Sequence, residues 1–467
     1  MGYKTILNNN KIILNNGKMY LNKFASVTSI QKVSIVFSSP PSNIGITKAP
    51  LKYNKRFAFS YVWDDGLLDA YTYGFKYLNG GTAGDGTVSS GKTYTDGCGN
   101  KVKFNVGLAI YTTNNTHTVD YHSQPDAGSV YILWNQLKEV YNAGWAINNH
   151  AFDASITNYD VERNRSYIYR QTSGATTKVF TQPQGDTQYI PLVWAITGST
   201  KYYEYMNQQN WQTYFGSGNG VDIPAGRVDQ DLLSGERRIG YDKWPVNQFG
   251  MIRTSATSSA TVIDSINSLI KATGTTYHTW NSNLCHSVSG AGGGFGSFSD
   301  FKTAMDYIED NYGSDGNDTC WMACDQDVYE YLTTRDTTVI TQELNGNTLD
   351  LTFSYLNTNT GNTLPDDMRN YSLSLIISGN TSISDIIIEG GEGCSLNKSY
   401  GTNTALINLN WIGGLSMSSR LLRIATEKVE KAESTISTGD KEIAQDYVTS
   451  MVNGTDKTNL QNRLNSI

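Results

Sequence analysis

The sequence predicts an α/β protein whose central region is a mostly parallel sheet or barrel, with β-rich segments on either side of it and a helical C-terminus. The clearest strand occupies residues 57–63, where large aromatic residues alternate with Ala, Ser and Val in the period of a buried strand. From 53 to 340 such runs alternate with amphipathic helical runs, which is typical of a parallel sheet covered by helices. From 341 to 416 the pattern becomes that of antiparallel sandwich strands.

Residues 1–52 form the first predicted unit, a small β segment that ends in a linker. Asn16-Gly17 stands between two apolar runs and predicts a hairpin turn. Pro40-Pro41 and the Ser, Asn and Gly residues that follow mark the linker.

The second predicted unit, residues 53–340, opens with the strand at 57–63. Asp64 and Asp65 follow this strand directly, and Gly66 allows the chain to turn at once. A stretch rich in Gly, Thr and Ser from 79 to 101 predicts a surface loop. The remaining predicted elements are helices at 130–143, 262–272, 300–311 and 325–334, and strands at 145–150, 275–285 and 320–324.

The last two predicted units are a β-sandwich at 341–416 and a helical tail at 417–467. Two interpretations of the tail stay open: a small module of the kind appended to bacterial surface proteins, or a plain amphipathic hairpin for docking or oligomerisation. Its apolar residues are too few for an isolated hairpin, so they require a third helix or a partner chain. These residues are Val429, Ile443, Ala444, Val448, Leu460 and Leu464.

Composition narrows the classes of function. Charged residues make up only 17% of the chain, and 30 Tyr outnumber 14 Phe, a surface chemistry that suits sugars and also protein interfaces. A net charge of −7 argues against nucleic acid as the main partner. No apolar run predicts a membrane span or a signal peptide. The five Cys residues lack zinc-site spacing and are expected to be free thiols.

Polar residues at three predicted strand ends carry the candidate chemistry. The chain has five His, and His150 and His286 end predicted strands, as the Asp64-Asp65 pair does. A single His is more often a hydrogen-bonded structural residue. Carboxylates and imidazoles on one barrel rim, however, form a metal-hydrolase constellation with ligands, a base and an acid. Their joint placement therefore predicts a hydrolytic site.

Five segments in order resemble the NodB-homology polysaccharide deacetylases, carbohydrate esterase family four. Tyr61-Val-Trp-Asp-Asp-Gly66 is similar to the first family motif, Thr-Phe-Asp-Asp-Gly, and Ala143-Gly-Trp-Ala-Ile-Asn-Asn-His150 to the second, Gly-His-Glu-Ile-Gly-Asn-His. The later motifs, Arg-x-Pro-x-Gly, Leu-x-His and a closing Trp-x-Ala segment, are resembled by Phe180-Thr-Gln-Pro-Gln-Gly185, Asn283-Leu-Cys-His286 and 320–331.

The resemblance implies a distorted (β/α) barrel that hydrolyses the C–N bond of N-acetyl sugars or an O-acetyl ester. It assigns Asp64 as general base and His286 as general acid. It assigns Asp65 and His150 as ligands of a divalent metal, commonly zinc. Substrate contacts are expected from Trp63 and from the backbone of the third motif, at Gln182, Pro183 and Gln184.

The chain departs from the family at three positions. Ala154 stands where the second metal His is usual, so Asp153, a water or His122 would complete the metal shell. Thr181 replaces the usual Arg, and Asp242 is the candidate partner of the acid His. A weakened or inactive barrel that binds glycan, or serves as a structural virion part, is therefore the alternative.

The expected partner is a bacterial surface glycan, with neither nucleic acid nor membrane involved. Without a visible signal peptide, a bacteriophage tail or a bacterial surface is the expected location, among other tail proteins. Self-association would use the C-terminal region.

Overall fold

A computed structural model describes most of the chain. The described residues are 13–15, 18–20, 30–114, 116–117, 119–123, 130–186, 188–203, 205–208, 225–227, 249–273, 278–290, 293–357, 362–379, 382–391, 393–411 and 416–467.

The strands are numbered in chain order. They are β1 (Ile13–Asn15), β2 (Lys18–Tyr20), β3 (Lys32–Phe37), β4 (Gly45–Lys48), β5 (Phe57–Trp63), β6 (Gly81–Thr82), β7 (Val88–Ser89), β8 (Thr93–Thr95), β9 (Lys101–Lys103), β10 (Gly107–Ile110), β11 (Ala146–Asn149), β12 (Phe180–Thr181), β13 (Tyr205–Gln208), β14 (Ala225–Arg227), β15 (Phe249–Ser255), β16 (Thr279–Cys285), β17 (Cys320–Met322), β18 (Val339–Asn345), β19 (Thr348–Ser354), β20 (Leu356–Asn357), β21 (Asn362–Thr363), β22 (Tyr371–Ser378), β23 (Ile383–Glu389), β24 (Gly393–Gly401) and β25 (Thr404–Trp411).

The α-helices are numbered separately, and a π-helical segment spans Ala70–Phe75. They are α1 (Lys76–Asn79), α2 (Trp134–Asn142), α3 (Asn158–Thr172), α4 (Tyr189–Ala195), α5 (Ser259–Thr273), α6 (Phe298–Tyr312), α7 (Asp325–Thr337), α8 (Met417–Thr435), α9 (Thr438–Ser450) and α10 (Thr455–Asn465).

The chain divides into two compact units, and the larger one, which comprises 55–94, 101–329 and 415–467, contains a curled parallel sheet. Its parallel pairings run β5–β10–β11–β12–β13–β15–β16, and β16 pairs again with β5. The predicted α/β fold with a mostly parallel sheet is confirmed. Since every residue of β5 is buried, this strand lies at the centre of the sheet.

On one of its edges, β5 pairs with two different strands. Its first residues pair with β17, through Phe57 and Cys320, whereas its last residues pair with β10, through Trp63 and Leu108. On its other edge β5 pairs with β16 along its whole length. The end of β5 is therefore fixed on both sides, which holds the residues that follow it.

Two of the helices around the sheet begin at polar caps that the sequence provides. The Thr157 hydroxyl accepts the backbone N–H of Asp160 at the start of α3, and Ser297 does the same for Asp300 at the start of α6. The α3 helix ends at Ser173, whose backbone adopts the left-handed α conformation. Outward-facing Trp63 packs edge-on against Phe301 of α6.

The C-terminal helices α8, α9 and α10 pack together and against α3. All the apolar tail residues named above are buried in one cluster, which also contains Tyr169 of α3. A third helix and α3 therefore supply the burial that an isolated hairpin lacks, without a partner chain.

Buried charges also join α3 to the tail. Glu162 pairs with Lys428 and, at 3.1 Å, with Lys431. Asp446, 1% exposed, pairs with Arg163 and accepts a hydrogen bond from the Ser166 hydroxyl at 2.8 Å. Because charges are costly to bury unless paired, these contacts fix one register of the tail on α3.

The second unit comprises 1–54, 95–100 and 330–414. Two four-stranded antiparallel sheets form it, in the orders β18–β19–β3–β23 and β24–β25–β22–β4. The N-terminal strands β3 and β4 thus share sheets with the strands after 338, whereas the sequence analysis drew residues 1–52 and 341–416 as separate units. Within the described residues, no helix has the length and apolarity needed to cross a membrane.

Candidate functional site

The turn after β5 presents the two carboxylates in different environments. Asp64 is 3% exposed, and its backbone N–H donates to the carbonyl oxygen of Cys285 at 2.9 Å. Asp65 has a φ of +70° and a side chain that is 41% exposed. Gly66 is required here, since a Cβ at this position would lie 2.9 Å from Cε1 of His122. One carboxylate is thus held inside while the next faces outward.

His150 follows β11 and reaches the same rim. Its Nε2 lies 3.5 Å from Oδ1 of Asp65, and its Nδ1 lies 2.7 Å from the carbonyl oxygen of Thr181. A carbonyl only accepts, so Nδ1 carries the hydrogen and Nε2 is turned toward Asp65.

His286 follows β16 and approaches Asp65 from the other side. Its Nε2 lies 3.9 Å from Oδ2 of Asp65, and its Nδ1 lies 3.1 Å from the carbonyl oxygen of Gly293. Its side chain is 35% exposed, compared with 5% for His150. The structure therefore brings Asp65, His150 and His286 together beside Asp64, as the sequence analysis predicted.

Asp69 holds the chain that follows His286, and the sequence analysis did not identify it. Its Oδ2 accepts hydrogen bonds from the backbone N–H groups of Val288 and Ser289, at 2.8 and 2.9 Å, and from the hydroxyls of Ser287 and Ser289. No local sequence motif indicates this role of Asp69, because the groups that it binds lie more than 200 residues later in the chain.

Asp153 does not join the three converging side chains. Its Oδ2 pairs with Nε2 of His117, and its Oδ1 accepts the backbone N–H of Ser155 at 3.0 Å. Burial raises the pKa of Asp153, but the hydrogen bonds from His117 and Ser155 outweigh burial and hold the pKa below its ordinary value. The expectation of Asp153 as third metal ligand is therefore corrected: its carboxylate is turned to His117.

The loop that orients Asp153 is folded around Asp160. The Oδ1 of Asp160 accepts the backbone N–H groups of Phe152 and Asp153 at 2.6 and 2.8 Å, and Oδ2 accepts the Tyr189 hydroxyl at 2.7 Å. Burial raises the pKa of Asp160. Ala154, at the position of the missing His, has a φ of +55°.

His122 is likewise committed to a structural contact. Its Nδ1 lies 2.7 Å from the carbonyl oxygen of Ile132 and its Nε2 lies 3.0 Å from that of Tyr111. Burial lowers its pKa. It therefore braces the loops behind Gly66 and is not turned toward Asp65 as a ligand would be.

The described residues contain one group of three possible metal ligands whose ligand atoms all lie within 4.8 Å of one another, and it is elsewhere. That group is Glu309, Asp310 and Asp315, on and after α6. Glu309 already pairs with Lys92 at 3.0 Å. At the rim, Asp65 and His150 form a pair of candidate ligands, and the remaining positions of a metal shell would fall to water or substrate.

The third motif forms a short helical turn after β12. Gln184 is exposed with a φ of +53°, whereas Pro183 is buried. Gln182 is 1% exposed, and neither side-chain amide atom of Gln182 has a hydrogen-bond partner among the described residues. Because the backbone carbonyl oxygen of Thr181 accepts a hydrogen bond from Nδ1 of His150, this turn lies next to His150 in the site.

Trp63 is 1% exposed and packs against Trp145 and the backbone of Gly74, so its ring is buried and cannot contact substrate. Asp242, the candidate partner of the acid His, lies outside the described residues.

No known protein family and no curated protein matches the chain.

Proposed function

We propose that the chain is a metal-dependent deacetylase of a bacterial surface polysaccharide, built on a NodB-like barrel. The observation that carries the proposal is the Asp65 carboxylate between Nε2 of His150 and Nε2 of His286, with the buried Asp64 beside it. This arrangement supplies a ligand pair, a proton acceptor and a proton donor on one rim.

The donor set fits a divalent metal such as zinc. Nε2 of His150 and Oδ1 of Asp65 are both acceptors, yet they face each other at 3.5 Å. A proton or a cation between these two acceptors would turn their contact into an attraction. Two ligands of a tetrahedral zinc ion, each at about 2.1 Å, lie about 3.4 Å apart. Asp65 and His150 would thus hold the ion, whose chemistry is to polarise the acetyl carbonyl and to lower the pKa of a bound water.

The protein groups would then move the protons. Asp64 accepts a proton from the attacking water, which adds to the acetyl carbonyl carbon. His286, the more exposed imidazole, donates a proton to the leaving amine nitrogen as the C–N bond breaks, which yields acetate and the free amine. For an O-acetyl ester the leaving atom is oxygen and the roles are unchanged. The backbone of the Gln182–Gln184 turn would line the acetyl group.

A second candidate function, glycan binding without chemistry, is favoured by the position of Asp153. Its pairing with His117 leaves Asp65 and His150 without a third protein ligand among the described residues. Metal would then bind weakly, and the rim would hold sugar without cleaving the acetyl group.

Metal content and acetate release decide between the two. The wild-type chain should bind about one divalent ion and release acetate from acetylated glycan oligomers. Asp65→Ala should lose the ion, Asp64→Asn should keep the ion and lose acetate release, and Asp153→Ala should keep the ion. Asp310→Asn, in the acidic group on α6, is the matched carboxylate control. A metal-loaded wild type that releases no acetate from chitin oligomers, peptidoglycan or capsule would remove the deacetylase proposal, and glycan binding by that protein would then support the second function.

The location proposed for this activity is a phage tail, where the chain would assemble with other virion proteins. The Tyr-rich, charge-poor composition supports a glycan-facing virion surface. Mass spectrometry of purified particles tests it, and absence of the chain from particles whose other tail proteins are detected would contradict it.

A further inference from the structure

Three half-buried tyrosines stand in a row at the rim. Tyr111 and Tyr121 are stacked with ring centroids 5.9 Å apart, and Tyr121 and Tyr131 are stacked at 4.7 Å. We call these three residues the tyrosine ladder. Tyr121 is the middle ring and is stacked against both of its neighbours.

The backbone joins the ladder to the turn that carries Asp65. Tyr131 pairs with Leu67 in an antiparallel bridge, and the backbone N–H of Ile132 donates to the carbonyl oxygen of Gly66 at 2.9 Å. In the middle of the ladder, the backbone N–H of Tyr121 donates to the carbonyl oxygen of Thr112 at 3.1 Å, next to Tyr111 in the chain. The ladder is therefore continuous with the candidate site and is fixed by these short backbone pairings.

His122 stiffens the ladder from behind. Its two ring nitrogens face the carbonyl oxygens of Tyr111 and Ile132, and its ring meets Tyr131 edge-on at 5.8 Å. Because one buried imidazole joins the carbonyl of Tyr111 to that of Ile132, which follows Tyr131, the segments that carry the rings are held in place before any ligand binds. Preorganised rings cost less entropy on binding.

The hydroxyls of Tyr111 and Tyr131 are neutral donors. Burial, followed by Tyr121 and the carboxylates of Asp160 and Asp153, raises the pKa of Tyr111 to about 12. Burial also raises the pKa of Tyr131, together with Tyr121 and the Asp65 carboxylate. Within the described part of the chain, none of the three phenol oxygens has a hydrogen-bond partner, and each can donate to a ligand.

We infer that the tyrosine ladder is a binding subsite for a neutral oligosaccharide, such as an N-acetylated pyranose chain. The phenol hydroxyls can donate to the hydroxyl and acetamido oxygens of such a ligand, and the half-buried rings give its C–H groups an apolar contact. The nearby carboxylates would repel an acidic polymer built of uronic acids. Because the ladder starts beside Asp65, it would hold sugars next to the acetylated one. The inference rests on the proposed function for this orientation, but the binding itself does not require catalysis.

Calorimetric titration of the full chain tests the inference, with Asp64→Asn as the background so that no ligand is turned over. The probes are chitotetraose, which is neutral, and tetragalacturonate, which is acidic. Tyr111→Ala and Tyr131→Ala should each raise the Kd for chitotetraose about 10-fold or more. The Phe variants, which keep the rings and the fold, should raise it about 2- to 10-fold by losing one hydrogen bond. Tyr307→Ala, a half-buried tyrosine on α6, is the control and should leave the Kd unchanged.

The inference is overturned if the background protein does not bind chitotetraose, if it binds tetragalacturonate as tightly, or if the ladder variants bind like the Tyr307 control. Acetate release distinguishes this outcome from failure of the proposed function. Wild-type protein that binds through the ladder but releases no acetate removes the deacetylase proposal and keeps the subsite. Acetate release whose KM is insensitive to Tyr111→Phe and Tyr131→Phe does the reverse.

Discussion

Replacing Lys428 by Met should weaken the packing of the C-terminal helices on α3. Lys428 of α8 pairs with Glu162 of α3, and the two side chains are only 9% and 8% exposed. Met keeps the length and the apolar stem of Lys but removes its charge. The carboxylate of Glu162 then stays buried with Lys431 as its remaining partner, at 3.1 Å.

The expected loss in the free energy of unfolding is about 3 kcal/mol. Breaking a buried ion pair by removing one partner costs about 3–5 kcal/mol, and the lower end applies because Lys431 remains. A loss of 3 kcal/mol lowers the Tm of this unit by about 4–5 °C, from about 2.1 cal/mol/K per residue over roughly 320 residues. The double variant Glu162→Gln with Lys428→Met removes both charges and should recover most of the loss.

Thermal and urea unfolding followed by tryptophan fluorescence, with the double-mutant cycle completed by Glu162→Gln, measures these effects. Lys138→Met, an exposed lysine on α2, is the control and should change the unfolding free energy by less than about 0.5 kcal/mol. If Lys428→Met behaves like Lys138→Met, or if the double variant is no more stable than Lys428→Met, the pair does not fix the helices as argued.

Three further outcomes are expected. Burial raises the pKa of Glu162, but the nearby lysines outweigh it and hold the pKa below its ordinary value of 4.5. The contribution of Glu162 to the free energy of unfolding is therefore complete above pH 4.5 and is lost as the pH falls through the folded-state pKa. The free energy of unfolding should accordingly fall less steeply with decreasing pH in Glu162→Gln. Gly74→Ala would place a Cβ 2.4 Å from Trp63 and should cost about 1–3 kcal/mol in urea unfolding, whereas Gly296→Ala has open space and should cost little. Asp69→Asn should lower kcat for acetate release while metal content is kept, because the loop after β16 loses its charged anchor; an unchanged kcat would show that the loop holds without it.

The convergence of the rim residues was predictable, because the ends of neighbouring parallel strands meet at one edge. That logic placed Asp65, His150 and His286 together, and the structure brings them within 3.5 and 3.9 Å. The distances themselves depend on distant carbonyls, such as those of Thr181 and Gly293, which orient the imidazoles and which no local pattern identifies.

Each misplaced expectation has its own physical cause. Asp153 is one residue from the expected ligand position, but the turn around Asp160 directs its carboxylate to His117. Trp63 directly precedes Asp64 and Asp65, yet strand alternation turns its ring outward to the helix layer. The tail on α3 was missed because amphipathic patterning indicates that a face must be covered without indicating by what.

In sequence, the strands of the second unit are interrupted by the parallel sheet and its covering helices, and this dictates an order of events during synthesis. Strand β3 ends at Phe37, and its neighbour β19 begins at Thr348, roughly 310 residues later. At about 5–20 residues per second, β3 waits roughly 15–60 s on the ribosome for this partner. The intervening unit is complete in its parallel strands by β17 and can fold first. The nascent chain must therefore keep an apolar strand from pairing with the wrong edge, a task suited to a chaperone that binds extended segments near the N-terminus.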